Sequence, residues 1–287
     1  MKAPRFRYLR PPDLSAAVQA LAAGGTALAG GQSLLPALNM RAAQPDLLVD
    51  ISHLAELRGI TDSGGAIRIG AAARHAEVMD DAVVRRHVPL LPMALEHVAH
   101  VAIRNRGTLG GSLALADPAA ELPACAVVLG ATIHLVGPAG RRAVAATKFF
   151  TGTMSTILGA GELIEAVTFP KAGPGSVSVL DELSRRRGDY ALAGIALTCM
   201  RRDKALADVR VAFFGCASTG RLAAGVARAL EGAHFPLQAG TRAVLDEAVE
   251  ADIDPDSTPG CSASTRLRMA QVLTRRVAER LANPETA

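Results

Sequence analysis

The chain of 287 residues has no tryptophan, two tyrosines and seven phenylalanines, so aromatic residues make up only 3% of it. Its core must be built from alanine and aliphatic side chains. With 49% hydrophobic residues there is enough apolar surface to bury without disulfide support. The same scarcity removes the stacking platforms of a single-strand nucleic-acid site. The excess of Lys and Arg (31 against 27 Asp and Glu) is also dispersed rather than gathered into a basic patch. Nucleic-acid binding is therefore not expected. Cysteine is sparse too: Cys125, Cys199, Cys216 and Cys261 form no CxxC pair, which argues against a zinc or iron–sulfur site on this chain and suits buried small hydrophobes. No apolar run approaches the roughly 20 residues of a membrane span. Met1-Lys2-Ala3-Pro4-Arg5 leads into a charged stretch unlike a signal peptide. These absences predict a soluble, reduced, cytoplasmic protein.

Two nucleotide signatures are also missing. There is no GxGxxG after a strand and no Gly-Lys-Ser/Thr of a P-loop. What the chain does have is a pair of glycine-rich segments, Ala29-Gly30-Gly31-Gln32-Ser33-Leu34 and Thr108-Leu109-Gly110-Gly111-Ser112. Adjacent glycines beside small polar side chains let a backbone approach a pyrophosphate and offer it N–H donors. Taken alone, either segment reads equally well as a tight turn.

Helical spacing over 14–23, with Asp13 as N-cap and Gly24-Gly25 as stop, predicts a first helix. A strand over 26–29, the first glycine loop, a short helix over 34–40 and a strand over 47–51 make a unit that can hold a phosphate at a helix N-terminus. Further strands are expected at 67–71, 131–136 and 161–169, and helices at 76–84 and 90–98. Several strands without long intervening helices predict a mixed α+β fold with antiparallel pairing. Proline and glycine crowd 170–178, a composition shift that marks a domain boundary. Beyond it come strands at 191–200 and 209–215 and helices at 222–230, 241–249 and 264–281. The histidines assemble no catalytic set: His97 and His100 are three apart without a completing ligand, and His75 reads as capping or packing.

At the glycine segments and their flanks a resemblance becomes specific. The blocks AGGQSLLPALNMR (29–41), RNRGTLGGS (104–112) and ADPAAELP (116–123) run in order along the chain. They are followed by Phe149-Phe150-Thr151-Gly152, Gly161-Glu162-Leu163, Arg186-Arg187-Gly188-Asp189-Tyr190-Ala191 and Arg275-Arg276. This pattern resembles the FAD-binding medium subunit of molybdenum hydroxylases, the carbon monoxide dehydrogenase medium subunit and xanthine dehydrogenase FAD-binding subunit family. The resemblance implies a two-subdomain FAD-binding domain of the p-cresol methylhydroxylase (vanillyl-alcohol oxidase) type over 1–172, divided near 57, and a smaller α+β domain over 173–287. It implies FAD contacts from Ala29, Gly30, Gly31, Gln32, Ser33 and Leu34, and from Thr108, Gly110, Gly111 and Ser112. Asp117 matches a family aspartate near the flavin's ribityl chain, although Asp117-Pro118 by itself reads as a turn initiator. Tyr190 falls in a block similar to the family's flavin-facing strand, although by itself it reads as a half-buried strand tyrosine. Ser112 departs from the family's usual asparagine and has a shorter reach.

Neither glycine segment carries His or Cys, so the FAD is expected to be non-covalent. The 2Fe-2S clusters and molybdenum cofactor are expected on a small and a large partner subunit, in a dimer of heterotrimers. The resemblance thus implies an oxidoreductase subunit that passes electrons from the clusters through FAD to an external acceptor. The competing readings are a free-standing FAD-dependent oxidase or reductase of the same fold, and a non-catalytic assembly subunit.

Overall fold

A computed structural model describes residues 2–202, 205–231, 233, 237 and 239–282. The first 50 residues form a three-stranded sheet in the order β1-β3-β2. Strand β1 (Arg7–Leu9) precedes helix α1 (Leu14–Ala22); β2 (Thr26–Leu28) and helix α2 (Leu34–Asn39) lead to β3 (Leu47–Asp50). Both outer strands run parallel to β3. Asp13 caps α1 by accepting the Ala16 N–H at 2.8 Å. Leu14, Ala17, Val18 and Leu21 of α1 pack with Val49 and Ile51 into a small core that also takes in Ala72, Val136 and Leu163 of the next region. The first glycine segment is the turn from β2 into α2, at the carboxyl end of parallel strands, as the expected strand–loop–helix–strand unit requires.

The next region is built on a five-stranded antiparallel sheet. Strands β4 (Ile60–Asp62) and β5 (Ala66–Gly70) open it. A helical excursion follows through α3 (His75–Asp80), α4 (Ala82–His87), α5 (Leu90–His97), α6 (Val101–Arg104), α7 (Leu109–Leu115) and α8 (Glu121–Val128). The chain returns through the hairpin β6 (Thr132–Gly137) and β7 (Gly140–Ala145), helix α9 (Ala146–Phe149), the short pair β8 (Phe150–Gly152) and β9 (Ser155–Thr156), and β10 (Leu163–Pro170). The order in the large sheet is β4-β5-β10-β6-β7. The single helix expected over 76–84 is instead two: Asp81 breaks it and caps α4, accepting the N–H groups of Val83 at 2.8 Å and Val84 at 2.9 Å.

The last region pairs β11 (Ser176–Leu183), β12 (Ala193–Arg202) and β13 (Ala205–Phe214) as an antiparallel sheet, followed by α10 (Ala224–Glu231), α11 (Ala239–Asp252) and α12 (Ala263–Ala282). The sheet is apolar on both faces. Ala193, Ile195, Leu197 and Cys199 join a core with α10 and α12, while Ala196, Ala212 and Phe214 join the core of the preceding region. Helix α8 lies against that second face, and every one of its residues is buried. Its last carbonyls are taken from across the junction: the Arg210 guanidinium donates to the Val127 carbonyl at 2.7 Å, and the Thr198 hydroxyl to that of Val128 at 3.4 Å. Among the described residues no helix is long and apolar enough to cross a membrane.

Candidate functional site

The first glycine segment meets the residues that lead into the second: Gly30 and Arg106, 76 positions apart, touch. A Cβ at Gly30 would overlap the Arg106 carbonyl oxygen and lie 2.9 Å from Gly107 Cα. Only glycine lets the β2–α2 turn sit this close to the chain entering α7.

Their backbones, however, do different things. Among the described residues the N–H groups of Gly30, Gly31, Gln32 and Ser33 have no protein acceptor. Ser33 occupies the N-cap position of α2 without a side-chain hydrogen bond, and the Gln32 amide folds back to the Gly30 carbonyl at 2.9 Å. Four consecutive unpaired donors on a partly exposed turn form a concave positive surface suited to an anion.

The second segment is not a loop but the N-cap and first turn of α7, and its N–H groups from Leu109 to Ser112 are already used. The Leu109 N–H goes to the Ala73 carbonyl at 3.0 Å and that of Gly110 to Ala71 at 2.8 Å. The Gly111 N–H goes to the Thr108 hydroxyl at 3.1 Å, the cap of the helix, and that of Ser112 to the Thr108 carbonyl at 3.1 Å. Gly110 is needed for packing: a Cβ there would lie 2.5 Å from that of Ala71. This corrects the sequence-based expectation that both segments present free N–H groups. What the segment leaves available is the half-buried Ser112 hydroxyl and, among the described residues, the Thr108 N–H.

Helix α7 ends at Ala116, held in the left-handed conformation (φ 53°, ψ 40°). Its carbonyl is gripped from two regions, by the Met154 N–H at 3.0 Å and the Thr219 hydroxyl at 2.9 Å. Asp117 then makes the turn that its sequence suggests, accepting the Ala119 N–H through Oδ1 at 2.9 Å and leaving Oδ2 free of protein partners among the described residues.

Tyr190 lies in the loop between β11 and β12, not on a strand, and is 71% exposed rather than half-buried. Gly188, two residues before it, packs directly on the Ala99 carbonyl, so the loop is seated on the turn after α5. Partial desolvation and the nearby Asp117 and Glu121 carboxylates hold the Tyr190 phenol above its usual range.

Other residues close the neighbourhood. His75, which starts α3, donates its backbone N–H to the Gly107 carbonyl at 2.9 Å, and its ring is buried beneath Gly107. Burial holds that imidazole down at about 4, so it is neutral under ordinary conditions. His97 pairs with Glu182 of β11, Nδ1 to Oε1 at 3.3 Å, a contact across 85 positions that no local pattern announces. The four cysteines are unpaired and buried.

Residues 4–172 match the FAD-binding domain of molybdopterin dehydrogenases, and residues 178–281 match the C-terminal domain of carbon monoxide dehydrogenase flavoproteins. The chain is 35% identical over 249 residues to the carbon monoxide dehydrogenase medium chain of Hydrogenophaga pseudoflava, covering 86% of each. It is 37% identical over 217 residues to the nicotine 6-hydroxylase medium subunit of Paenarthrobacter nicotinovorans, covering 75% of this chain and 76% of the relative. The fold is similar to a chain in the crystal structure of quinoline 2-oxidoreductase from Pseudomonas putida 86, with a TM-score of 0.92, 38% identity and complete coverage of both chains. The free donors of the β2–α2 turn therefore sit within a recognised FAD-binding domain, and the chain belongs to the FAD-binding medium subunits of the molybdenum hydroxylases.

Proposed function

We propose that this chain binds FAD non-covalently between the β2–α2 turn and α7. In this reading it is the electron-transfer subunit of a three-subunit molybdenum hydroxylase. The observation that carries the reading is the row of unpaired N–H groups at Gly30, Gly31, Gln32 and Ser33, pressed against the chain that enters α7.

Those donors fit pyrophosphate oxygens, with Ala29 and Leu34 bounding the turn. The Thr108 N–H and the Ser112 hydroxyl are suited to phosphate oxygens, and the free Asp117 Oδ2 to the hydroxyls of a ribityl chain. In this arrangement Gly110 and Gly111 shape the surface rather than donate to it. Tyr190 stands where its ring can cover one side of an isoalloxazine. Bound FAD exchanges electrons one or two at a time, which joins one-electron donors to two-electron acceptors. The chain's own part is to hold the group, exclude water and set its electrostatic surroundings.

The partners in this reading are a small subunit with 2Fe-2S clusters and a large subunit with the molybdenum cofactor, assembled as a dimer of heterotrimers in the cytoplasm. Selection of the substrate would then belong to the large subunit.

Purification from the native host tests the whole reading. The chain should carry yellow, acid-releasable FAD and bring down an iron–sulfur protein and a larger molybdenum protein. A chain that stays colourless after FAD addition, or that purifies without such partners, defeats it. Tyr190→Ala should retain FAD yet change the flavin's reaction rate with dioxygen or its midpoint potential. Stopped-flow reoxidation and redox titration check this, and unchanged values would remove Tyr190 from the flavin's surroundings.

A further inference from the structure

The domain junction holds a cluster of acid–base groups that the residues assigned to FAD do not use. Glu121 opens α8 and is 8% exposed. His97 ends α5, and Glu182 lies near the end of β11 with a side chain only 3% exposed. Its Oε1 is 3.3 Å from His97 Nδ1, while its Oε2 is buried without a partner among the described residues. A carboxylate oxygen left in this state is costly.

Every element packed against the cluster contributes to its charge. Asp181, next to Glu182, is neutralised by Arg276 and Arg280 of α12, each 3.1 Å from Oδ2. Helix α5 also brings Glu96, and α8 brings Cys125, whose thiol burial holds in its neutral form. Strand β13 brings Arg210, bound at the far end of α8. On one side the cluster meets a groove of about 520 Å³ lined by His97, Glu182 and Arg185, Arg186 and Arg187. The charges of Glu121 and Asp117 also hold the Tyr190 phenol above its usual range.

Burial, reinforced by Glu182 and Asp117, lifts Glu121 to about 8, so this carboxyl keeps its proton at neutral pH. The hydrogen bond to Glu182 holds His97 above its usual value. The junction thus holds a buried acid that keeps its proton, an imidazole paired with a carboxylate 3.3 Å away, and an unpartnered oxygen on that carboxylate.

We propose that His97, Glu121 and Glu182 form a proton-holding relay between the arginine-lined groove and the flavin, taking up a proton from water when the flavin gains negative charge. This rests on the placement of FAD proposed above. Electrons enter the FAD from the external reductant. The proton comes from solvent at the groove and ends on an imidazole nitrogen or carboxylate oxygen of the cluster, with no covalent bond to the cofactor. Linkage makes the effect reciprocal: if reduction tightens proton binding here, a proton here favours reduction.

The test is spectroelectrochemistry of the FAD-loaded full chain between pH 5.5 and 9, comparing wild type with the His97→Gln/Glu182→Gln double variant. A relay proton taken up with two electrons steepens the dependence of midpoint potential on pH by as much as about 30 mV per pH unit, the equivalent of a tenfold change in equilibrium per pH unit. The wild type should show the steeper slope and the variant should lose the excess; equal slopes overturn the proposal. A second measurement needs no variant: the His97 pKa, followed by 15N NMR, should rise on going from oxidised to reduced FAD, and an unchanged value also overturns it. A chain that binds no FAD would instead overturn the flavin placement on which the relay rests.

Discussion

Gly30→Ala is expected to weaken FAD binding by on the order of tenfold to a hundredfold, with the fold retained. The added Cβ would overlap the Arg106 carbonyl oxygen, a backbone atom that no side-chain rotation can move away. Either the β2–α2 turn or the chain entering α7 must shift. Overpacking of this kind costs about 1–3 kcal/mol. In this protein the displacement falls on the junction between the free donors of Gly30 to Ser33 and the Ser112 hydroxyl of α7. Fluorescence titration with FAD, alongside a thermal melt by circular dichroism, separates lost affinity from lost stability. Gly65→Ala is the matching control, because nothing lies within 4 Å of a Cβ placed there. FAD binding as tight in Gly30→Ala as in Gly65→Ala would contradict the assignment of this contact.

The second large effect is on stability. Phe214→Ala should cost about 3–5 kcal/mol, the usual range for truncating a fully buried phenylalanine. Phe214 is 1% exposed and ends β13. Its ring presses on Gly194 of the neighbouring strand and joins the core that contains α8. At about 2.1 cal/mol/K per residue the unfolding entropy of the 287 residues is about 0.6 kcal/mol/K, so the melting temperature should fall by about 5–8 °C. A drop below about 2 °C would show that the junction repacks easily and that the two regions are held together elsewhere.

Much of the fold was legible in local residue patterns. Asp13 before an apolar-periodic run announced α1, and the alternation at residues 67–71 announced β5. Helix α8 gave no such signal. Its sequence, Glu-Leu-Pro-Ala-Cys-Ala-Val-Val, is buried on every side and has no polar face to produce a period. Strands β1 and β4, three residues each, were too short to establish an alternation.

The site was legible in part for a related reason. Glycine pairs reveal where a backbone must come close to something, but not what it approaches. At Gly30 the neighbour is another chain segment beside free donors; at Gly110 it is Ala71, and the donors are spent. Ser33 and Thr108 look alike as helix-capping residues, yet only Thr108 makes the hydrogen bond. The His97–Glu182 pair depends on β11 docking against α5, a tertiary event with no trace in either local sequence.

The sheet β11–β13 carries apolar side chains on both faces, one for its own helices and one for α8. A hinge between the two regions would have to peel that second face away and leave the Val127 and Val128 carbonyls without Arg210 and Thr198. Rigid-body rotation, the common way two-domain proteins admit a ligand, would therefore cost this chain both those hydrogen bonds and the burial of that face. With FAD placed as proposed, opening at the Tyr190 side would involve the loop between β11 and β12, which rests on the Ala99 carbonyl at Gly188.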